Sequence, residues 1–176
     1  MSDKQDNKDS VDLYSIDLLM QQTRQLAARY RKTTGNTLPI TGEIARFDVG
    51  KALHLDLNDN LTLGYDAIGQ GQRDGLKILI KGRVIFEDSQ SSPRLGQLTP
   101  DGRWDRVVMV LFDDDYMPVE MYEASAEEIS STLQGKAESK NKKRGAMSVA
   151  QFKIISELVW SGKKGDTSEV WENEPS

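Results

Sequence analysis

The stretch GYDAIGQGQRDGLKILIKGR, residues 64–83, decides the fold predicted for this chain of 176 residues. Its glycines and the Asp74-Gly75 pair are turn residues, and apolar residues stand on both sides of them. This pattern predicts two strands joined by a turn. Because side chains alternate along a strand, two faces are expected in the second one. One face carries Leu76, Ile78 and Ile80, and the other carries Lys77, Leu79 and Lys81.

The lysine near the end of this stretch needs a partner, because a buried ammonium group must be paired. Lys81 follows a run of Leu and Ile residues in a strand that is expected to be central. The obvious partner is Asp66, which ends the apolar lead-in of the first strand. If both side chains point into a cleft, the aspartate would hold a divalent cation and the lysine would hold the attacking water.

Composition limits the classes of function. The chain is 37% apolar and 29% charged, which suits one globular domain with a sizeable core. It has no cysteine, which excludes disulfides and thiolate metal sites, and its single histidine, His54, argues against a zinc site or a Ser-His-Asp triad. No membrane span or signal peptide is found, so the cytoplasm is expected. The net charge of −5 leaves any argument for nucleic-acid binding to local clusters.

Periodicity and turn residues predict the first part of the chain. Residues 1–9 are expected to be disordered, residues 10–162 to form a single domain, and residues 163–176 to form a flexible acidic tail. Helical spacing predicts a first helix over residues 12–30. A second helix is expected to begin with Thr41 as its N-cap and to end at His54 as a C-terminal cap.

The second part of the chain adds strands and two more helices. Gly82 is expected at a bend or bulge, residues 87–102 in a loop, and residues 106–112 in a central strand. An acidic turn at 113–115 and an alternating strand at 118–124 follow. Capping boxes predict helices that begin at Ser125 and at Ser148, the second one running to Trp160. The predicted fold class is α/β (mixed α+β), with one central sheet and flanking helices.

Two charged features allow both a structural and a functional interpretation. Glu43 lies in the first turn of the second helix, where the helix dipole favours an acid whatever its function. The segment KAESKNKKR, residues 136–144, is either a solvated linker or a loop that contacts phosphates. The basic residues at issue in this segment are Lys140, Lys142, Lys143 and Arg144.

Three residues, taken in order, resemble the PD-(D/E)XK nuclease superfamily, which has the restriction-endonuclease-like fold. They are Glu43 in GEIARFDVGKAL, Asp66 in GYDAI and Lys81 in ILIKGR. The later segments RWDRVVMVLFDDDYMPVEMYEA and RGAMSVAQFKIISELVW also look like small proteins of this fold, so the resemblance spans residues 41–160.

The resemblance implies a restriction-endonuclease-like central mixed sheet and a Mg²⁺ or Mn²⁺ ion. Asp66, Glu43 and the backbone carbonyl of Ile80 would bind the metal, and Lys81 would position or deprotonate water. Arg83 and the basic segment 136–144 would then contact nucleic acid, with DNA expected.

The sequence departs from the family pattern at one position. The family's (D/E)-x-K motif has an acid two residues before the lysine, and here this position is Leu79, which cannot bind a metal. The three matching residues and their order in the chain favour a metal-dependent nuclease that hydrolyses phosphodiesters. Such a nuclease is expected to act in restriction or defence, as a homodimer or in a larger defence complex. Leu79 favours a catalytically degenerate module of the same fold that binds nucleic acid or a protein partner. In that module Lys81 would pair with Asp66 or Glu43. A structural subunit of a larger complex is a third alternative.

Overall fold

A computed structural model describes residues 6–135, 146–162 and 165–166, with side chains described from residue 15 to residue 162 within these ranges. The helices are α1 (Asp6–Thr34), α2 (Thr41–Ala52), α3 (Ala126–Gln134) and α4 (Val149–Ile155). The strands are β1 (Asp56–Leu57), β2 (Ala67–Ile68), β3 (Lys77–Val84), β4 (Arg94–Gln97), β5 (Arg106–Phe112), β6 (Pro118–Ser125), β7 (Ala146–Ser148), β8 (Glu157–Ser161) and β9 (Gly165–Asp166). None of the described helices combines the length and the apolar composition that crossing a membrane requires.

The larger of two sheets organises the molecule. Its strands lie in the order β1-β2-β3-β5-β6-β8-β9, and β4 and β7 form a separate two-stranded sheet. Strands β3 and β5 are parallel, whereas the other neighbours are antiparallel. The fold is therefore mixed α+β with a mixed sheet flanked by helices, which confirms the predicted fold class. The two strands predicted within residues 64–83 are confirmed as β2 and β3, but Asp66 precedes β2 instead of ending its strand.

Two apolar clusters cover the two faces of the larger sheet. Helices α1 and α2 pack on one face, where Ile78 and Ile80 of β3 are buried. The other face is covered by α3, α4 and the small sheet, and Leu79 packs there. The alternation that the sequence predicts for β3 is therefore confirmed, and it places Lys81 on the same face as Leu79.

Gly82 has a different role from the predicted bulge. β3 keeps a continuous register with β5 from Ile78 to Val84. A Cβ atom on Gly82 would lie 2.7 Å from the Cβ of Ala45 and 3.2 Å from the carbonyl oxygen of Thr41. The glycine therefore lets the first turns of α2 approach the sheet closely.

The helix ends differ from the prediction in two places. α1 begins at Asp6, inside the stretch 1–9 that was expected to be disordered, and residues 1–5 lie outside the described part. Thr41 is the first residue of α2 rather than its N-cap, which is Ile40 and has no capping side chain. At the other end, His54 follows the C-cap with a φ of 52°, a conformation that closes a helix.

Two segments form strands where the sequence predicts other structures. Residues 87–102 contain β4, which pairs with β7. The last helix ends at Ile155, because Ser156 is extended and its hydroxyl donates to the carbonyl oxygen of Phe152 at 2.6 Å. The residues after it form β8 against β6 instead of a helix that runs to Trp160. Both predicted capping boxes, Ser125–Glu128 and Ser148–Gln151, are confirmed.

Candidate functional site

Asp66 lies where β2 begins, beside the middle of β3. Its backbone N–H donates to the carbonyl oxygen of Ile78 at 2.8 Å, next to the pair formed by Ala67 and Ile78. Its side-chain Oδ2 accepts a hydrogen bond from the N–H of Ile80 at 2.7 Å. The carboxylate therefore accepts a hydrogen bond that the backbone of a neighbouring strand would otherwise accept from β3. This bond fixes the carboxylate beside residues 79–81.

The cation that binds Asp66 comes from α2. Nη1 of Arg46 donates to Oδ1 of Asp66 at 3.3 Å, and Nη2 donates to the carbonyl oxygen of Asn58 at 2.8 Å. The two ionised side chains are only 14% and 16% exposed. The sequence predicts Lys81 as the partner of Asp66, but the partner is Arg46, which in the sequence belongs to the polar side of an amphipathic helix.

Lys81 is half-buried on β3, two residues beyond Leu79. Within the part of the chain that the structure describes, its ammonium group has no hydrogen bond and no ion pair. The pairing of Lys81 with Asp66 or Glu43, considered for a degenerate module, is therefore not formed among these residues. The stem of Lys81 is packed on the sheet while its ammonium group stays accessible to solvent, where it can bind an anion.

Glu43 is exposed in the first turn of α2. It lies one helical turn before Arg46, so the two residues share the side of α2 that reaches Asp66. No ion pair or hydrogen bond joins it to the rest of the site within the described residues. In those same ranges no group of three or more His, Cys, Asp or Glu side chains is placed to hold a metal ion.

Leu79 is a packing residue at the position where the family pattern has an acid. Its side chain is partly buried against the apolar cluster that includes Leu95, Met109 and Phe152. The structure therefore explains why an apolar side chain is favourable here, because the space around it is filled by apolar groups.

Arg83, which the resemblance placed in contact with nucleic acid, holds β3 to β4 instead of pointing freely into solvent. Its Nε donates to the carbonyl oxygen of Arg94, and Nη2 donates to that of Leu95 at 2.7 Å. Nη1 donates to the carbonyl oxygen of Gly82 at 2.5 Å. Burial lowers the pKa of the Arg83 guanidinium below its usual value. The other predicted contacts, Lys140, Lys142, Lys143 and Arg144, lie outside the described residues.

The donors near Asp66 fit a divalent cation only in part. The N–H and C=O of one strand residue point to the same side, so the carbonyl of Ile80 faces the edge that Asp66 occupies. Mg²⁺ keeps several waters and is often held by only one or two carboxylates. Asp66 and Ile80 would therefore suffice for a weak site, provided that Arg46 leaves Asp66. With Arg46 in place, the guanidinium already neutralises the Asp66 carboxylate, so Asp66 attracts a further cation only weakly.

One further cation shares the face of β3 with Lys81. Lys77 is exposed, and its ammonium nitrogen lies 5.8 Å from the centroid of the Tyr65 ring. We refer to Lys77, Lys81 and the adjacent Tyr65 as the basic face of β3. Cations beside an aromatic ring are the combination that binds the phosphates and bases of nucleic acid.

Comparison with known proteins yields no match for this chain. No family model matches it, and no curated protein is significantly similar to it.

Proposed function

We propose that this chain is a restriction-endonuclease-like module that binds nucleic acid in the cytoplasm through the basic face of β3, without requiring a metal ion. The observation that supports it most directly is Lys81, a half-buried residue whose solvent-accessible ammonium group has no partner in the described part of the chain. The carboxylate that the sequence pairs with Lys81, that of Asp66, binds Arg46 instead. A phosphate oxygen would supply the charge-assisted hydrogen bond that Lys81 lacks.

Lys77 extends the same surface. It lies four residues before Lys81 on one strand face, at a separation of about 13 Å for a rise of 3.3 Å per residue. Two cations at this distance contact different phosphates of one strand. Tyr65 beside Lys77 offers a ring on which a base can stack.

The net negative charge of the whole chain opposes the binding of nucleic acid. With a net charge of −5, the protein repels nucleic acid at long range, so affinity depends on a few local contacts. Each phosphate contact contributes a slope of roughly 0.9 to the dependence of log K on log salt for duplex DNA, and roughly 0.7 for single strands.

Fluorescence anisotropy with labelled duplex DNA, single-stranded DNA and single-stranded RNA, all in EDTA, tests this proposal. Lys81→Gln is expected to weaken binding of the preferred ligand and to reduce its salt slope by roughly 0.7 to 0.9. Lys51→Gln is the matched control, because Lys51 is an exposed lysine of α2 that pairs with Asp17. Failure of the native protein to bind any of the three ligands would refute the proposal, as would equal salt slopes for the native protein and Lys81→Gln.

Metal-dependent hydrolysis of nucleic acid is the second candidate, and the position of Asp66 beside residues 79–81 favours it. Asp66 and the carbonyl of Ile80 would hold Mg²⁺ or Mn²⁺, which supplies charge neutralisation at a phosphodiester under attack. Lys81 would hold the attacking water within reach of the phosphorus atom. Glu43 would contribute only by turning from solvent toward Asp66. A role in restriction or defence belongs to this candidate, which requires Arg46 to release Asp66.

A further inference from the structure

A single turn of 3₁₀ helix between β1 and β2 holds two leucine side chains in solvent. The turn spans Leu61–Leu63, and Leu61 and Leu63 are 56% and 45% exposed. We refer to these two residues as the leucine turn. Tyr65 follows two residues later and is half-buried, and its ring centroid lies 5.8 Å from the ammonium nitrogen of Lys77. The leucine turn therefore adjoins the basic face of β3.

Two asparagine side chains fix the conformation of the leucine turn. Oδ1 of Asn60 accepts hydrogen bonds from the N–H of Thr62 at 3.2 Å and from its hydroxyl at 2.6 Å. Nδ2 of Asn58 donates to the carbonyl oxygen of Asn60 at 2.9 Å and to that of Tyr65 at 3.4 Å. The leucines are thus held outward before any ligand arrives. A surface that is already ordered loses little conformational entropy when a ligand covers it.

The segment before β5 holds the leucine turn against the start of β3. A Cβ atom on Gly64 would lie 2.6 Å from Cδ of Arg103, so the backbone between Leu63 and Tyr65 lies against this segment. The same segment is bound to β3, because the N–H of Lys77 donates to Oδ2 of Asp105 and the N–H of Asp105 donates to the carbonyl oxygen of Lys77, both at 2.8 Å. Apolar and basic side chains therefore meet at one end of β3.

We propose that the leucine turn and the basic face of β3 together bind a single strand of DNA or RNA in preference to a duplex. Unpaired bases would stack on Tyr65 and cover the two leucines, and phosphates would contact Lys77 and Lys81. Among residues 15–135 and 146–162 neither of these ammonium groups forms an ion pair, so both are available to phosphate. The inference rests on the proposed function and specifies the ligand of that surface.

The exposed leucines distinguish a single strand from a duplex. The bases of a duplex are stacked inside the helix, and its outer surface presents phosphates, which gain nothing from contact with leucine. An unpaired base has a free face that stacks on an aromatic ring and covers neighbouring apolar side chains. Charge acts in the same direction, because duplex DNA carries about one negative charge per 1.7 Å of its axis and is repelled more strongly by a protein of net charge −5.

Fluorescence anisotropy of the full chain with three labelled probes of equal length measures this preference. The probes are oligothymidylate, the same strand with abasic sites in place of the thymines, and a duplex. The native protein is expected to bind oligothymidylate roughly tenfold or more tightly than either other probe, because only this probe offers unpaired bases. Equal affinity for the duplex or for the abasic strand would overturn this inference and leave the proposed function standing, whereas binding to none of the probes would overturn both.

Variants of the same surface separate contacts to bases from contacts to phosphates. Tyr65→Leu keeps an apolar side chain at a half-buried position, and Leu61→Ser/Leu63→Ser changes two exposed side chains, so both proteins should fold. Each is expected to weaken binding of oligothymidylate by roughly fivefold or more with an unchanged salt slope, whereas Lys81→Gln should reduce the slope. Leu26→Ser is the matched control, because Leu26 is 60% exposed on α1, which packs on the opposite face of the sheet. If Tyr65→Leu and the double serine variant bound oligothymidylate as tightly as the native protein, the inference would be wrong.

Discussion

The Arg46–Asp66 ion pair decides which ligand the centre of this site can bind. One carboxylate oxygen of Asp66 accepts the N–H of Ile80 and the other accepts the guanidinium of Arg46. Arg46 therefore competes with any cation for Oδ1, and both side chains are largely shielded from water. A cation bound at Oδ1 of Asp66 would have to displace this guanidinium.

Replacing Arg46 with glutamine should expose the latent cation site. A hydrogen bond to a charged group contributes about 1.5–3 kcal/mol, so removing this competitor should tighten Mn²⁺ binding by about tenfold or more. Calorimetric titration of Mn²⁺ into Arg46→Gln and into the native protein measures the difference, and a plasmid-nicking assay on the same samples reads hydrolysis. The control is Arg46→Gln/Asp66→Asn, which should lose the gained affinity. Equal Mn²⁺ affinity of Arg46→Gln and native protein would contradict both the competition and the metal-dependent candidate.

The residues of the site could be predicted to different degrees from the sequence. Lys81 stands out in the sequence because a charge in a buried strand is rare, but its expected partner, Asp66, binds Arg46 instead. Arg46 could not be predicted, because its reach from α2 to Asp66 depends on how closely the helix approaches the sheet. That approach depends on Gly82, which the sequence alone marks only as a bend or bulge.

At the scale of elements, features that depend on nearby residues follow from the sequence, whereas strands that depend on pairing with a distant segment do not. The capping boxes at Ser125 and Ser148 involve residues three apart, so their spacing is visible in the sequence. Strand β8 was predicted as helix because its apolar residues continue the helical spacing of α4. What makes it a strand is pairing with β6, more than thirty residues earlier in the chain.

Strand β6 and helix α4 are joined by a charged contact that responds to pH. Oε2 of Glu120 accepts hydrogen bonds from Nζ of Lys153 and from the hydroxyl of Tyr122, both at 2.9 Å. The Lys153 ammonium, helped by Tyr122, lowers the pKa of Glu120 below its usual value of 4.5. A lowered folded-state pKa contributes stability above the unfolded pKa, and the contribution disappears as the pH falls through the folded value.

The Glu120→Gln variant should therefore be less stable than the native protein at pH 7. As the pH falls below about 4.5, the native protein should lose more of its free energy of unfolding than the variant, so the difference between them should shrink. Urea unfolding at pH 7 and at several values between pH 5 and pH 3 measures the free energy of unfolding of both proteins. Glu157→Gln serves as the control, because Glu157 is exposed at the start of β8. A native-minus-variant difference that stays constant through the acid range would show that the Lys153 contact does not stabilise the fold.

At the scale of the whole molecule, one buried ion pair attaches α1 to the rest of the domain. Arg24 binds Asp48 of α2 through two hydrogen bonds of 2.5 Å and 2.7 Å, and Nη1 also donates to the carbonyl oxygen of Tyr116 at 2.8 Å. The side chains are 11% and 8% exposed. The pair therefore connects α1, α2 and the turn between β5 and β6. The sequence gives no sign of it, since the three segments are distant in the chain.

Breaking this pair from one side should cost far more than removing it entirely. Arg24→Met leaves the Asp48 carboxylate buried without its cation, for which a loss of about 3–5 kcal/mol in the free energy of unfolding is expected. The double variant Arg24→Met/Asp48→Leu removes both charges and should recover most of that loss, because apolar side chains often replace a buried pair at little cost. Urea unfolding of the native protein, both single variants and the double variant gives the coupling energy. A loss of less than about 1 kcal/mol in the free energy of unfolding of Arg24→Met, which is typical of exposed ion pairs, would contradict this prediction. It would mean that water reaches Asp48 and that apolar contacts hold α1 in place.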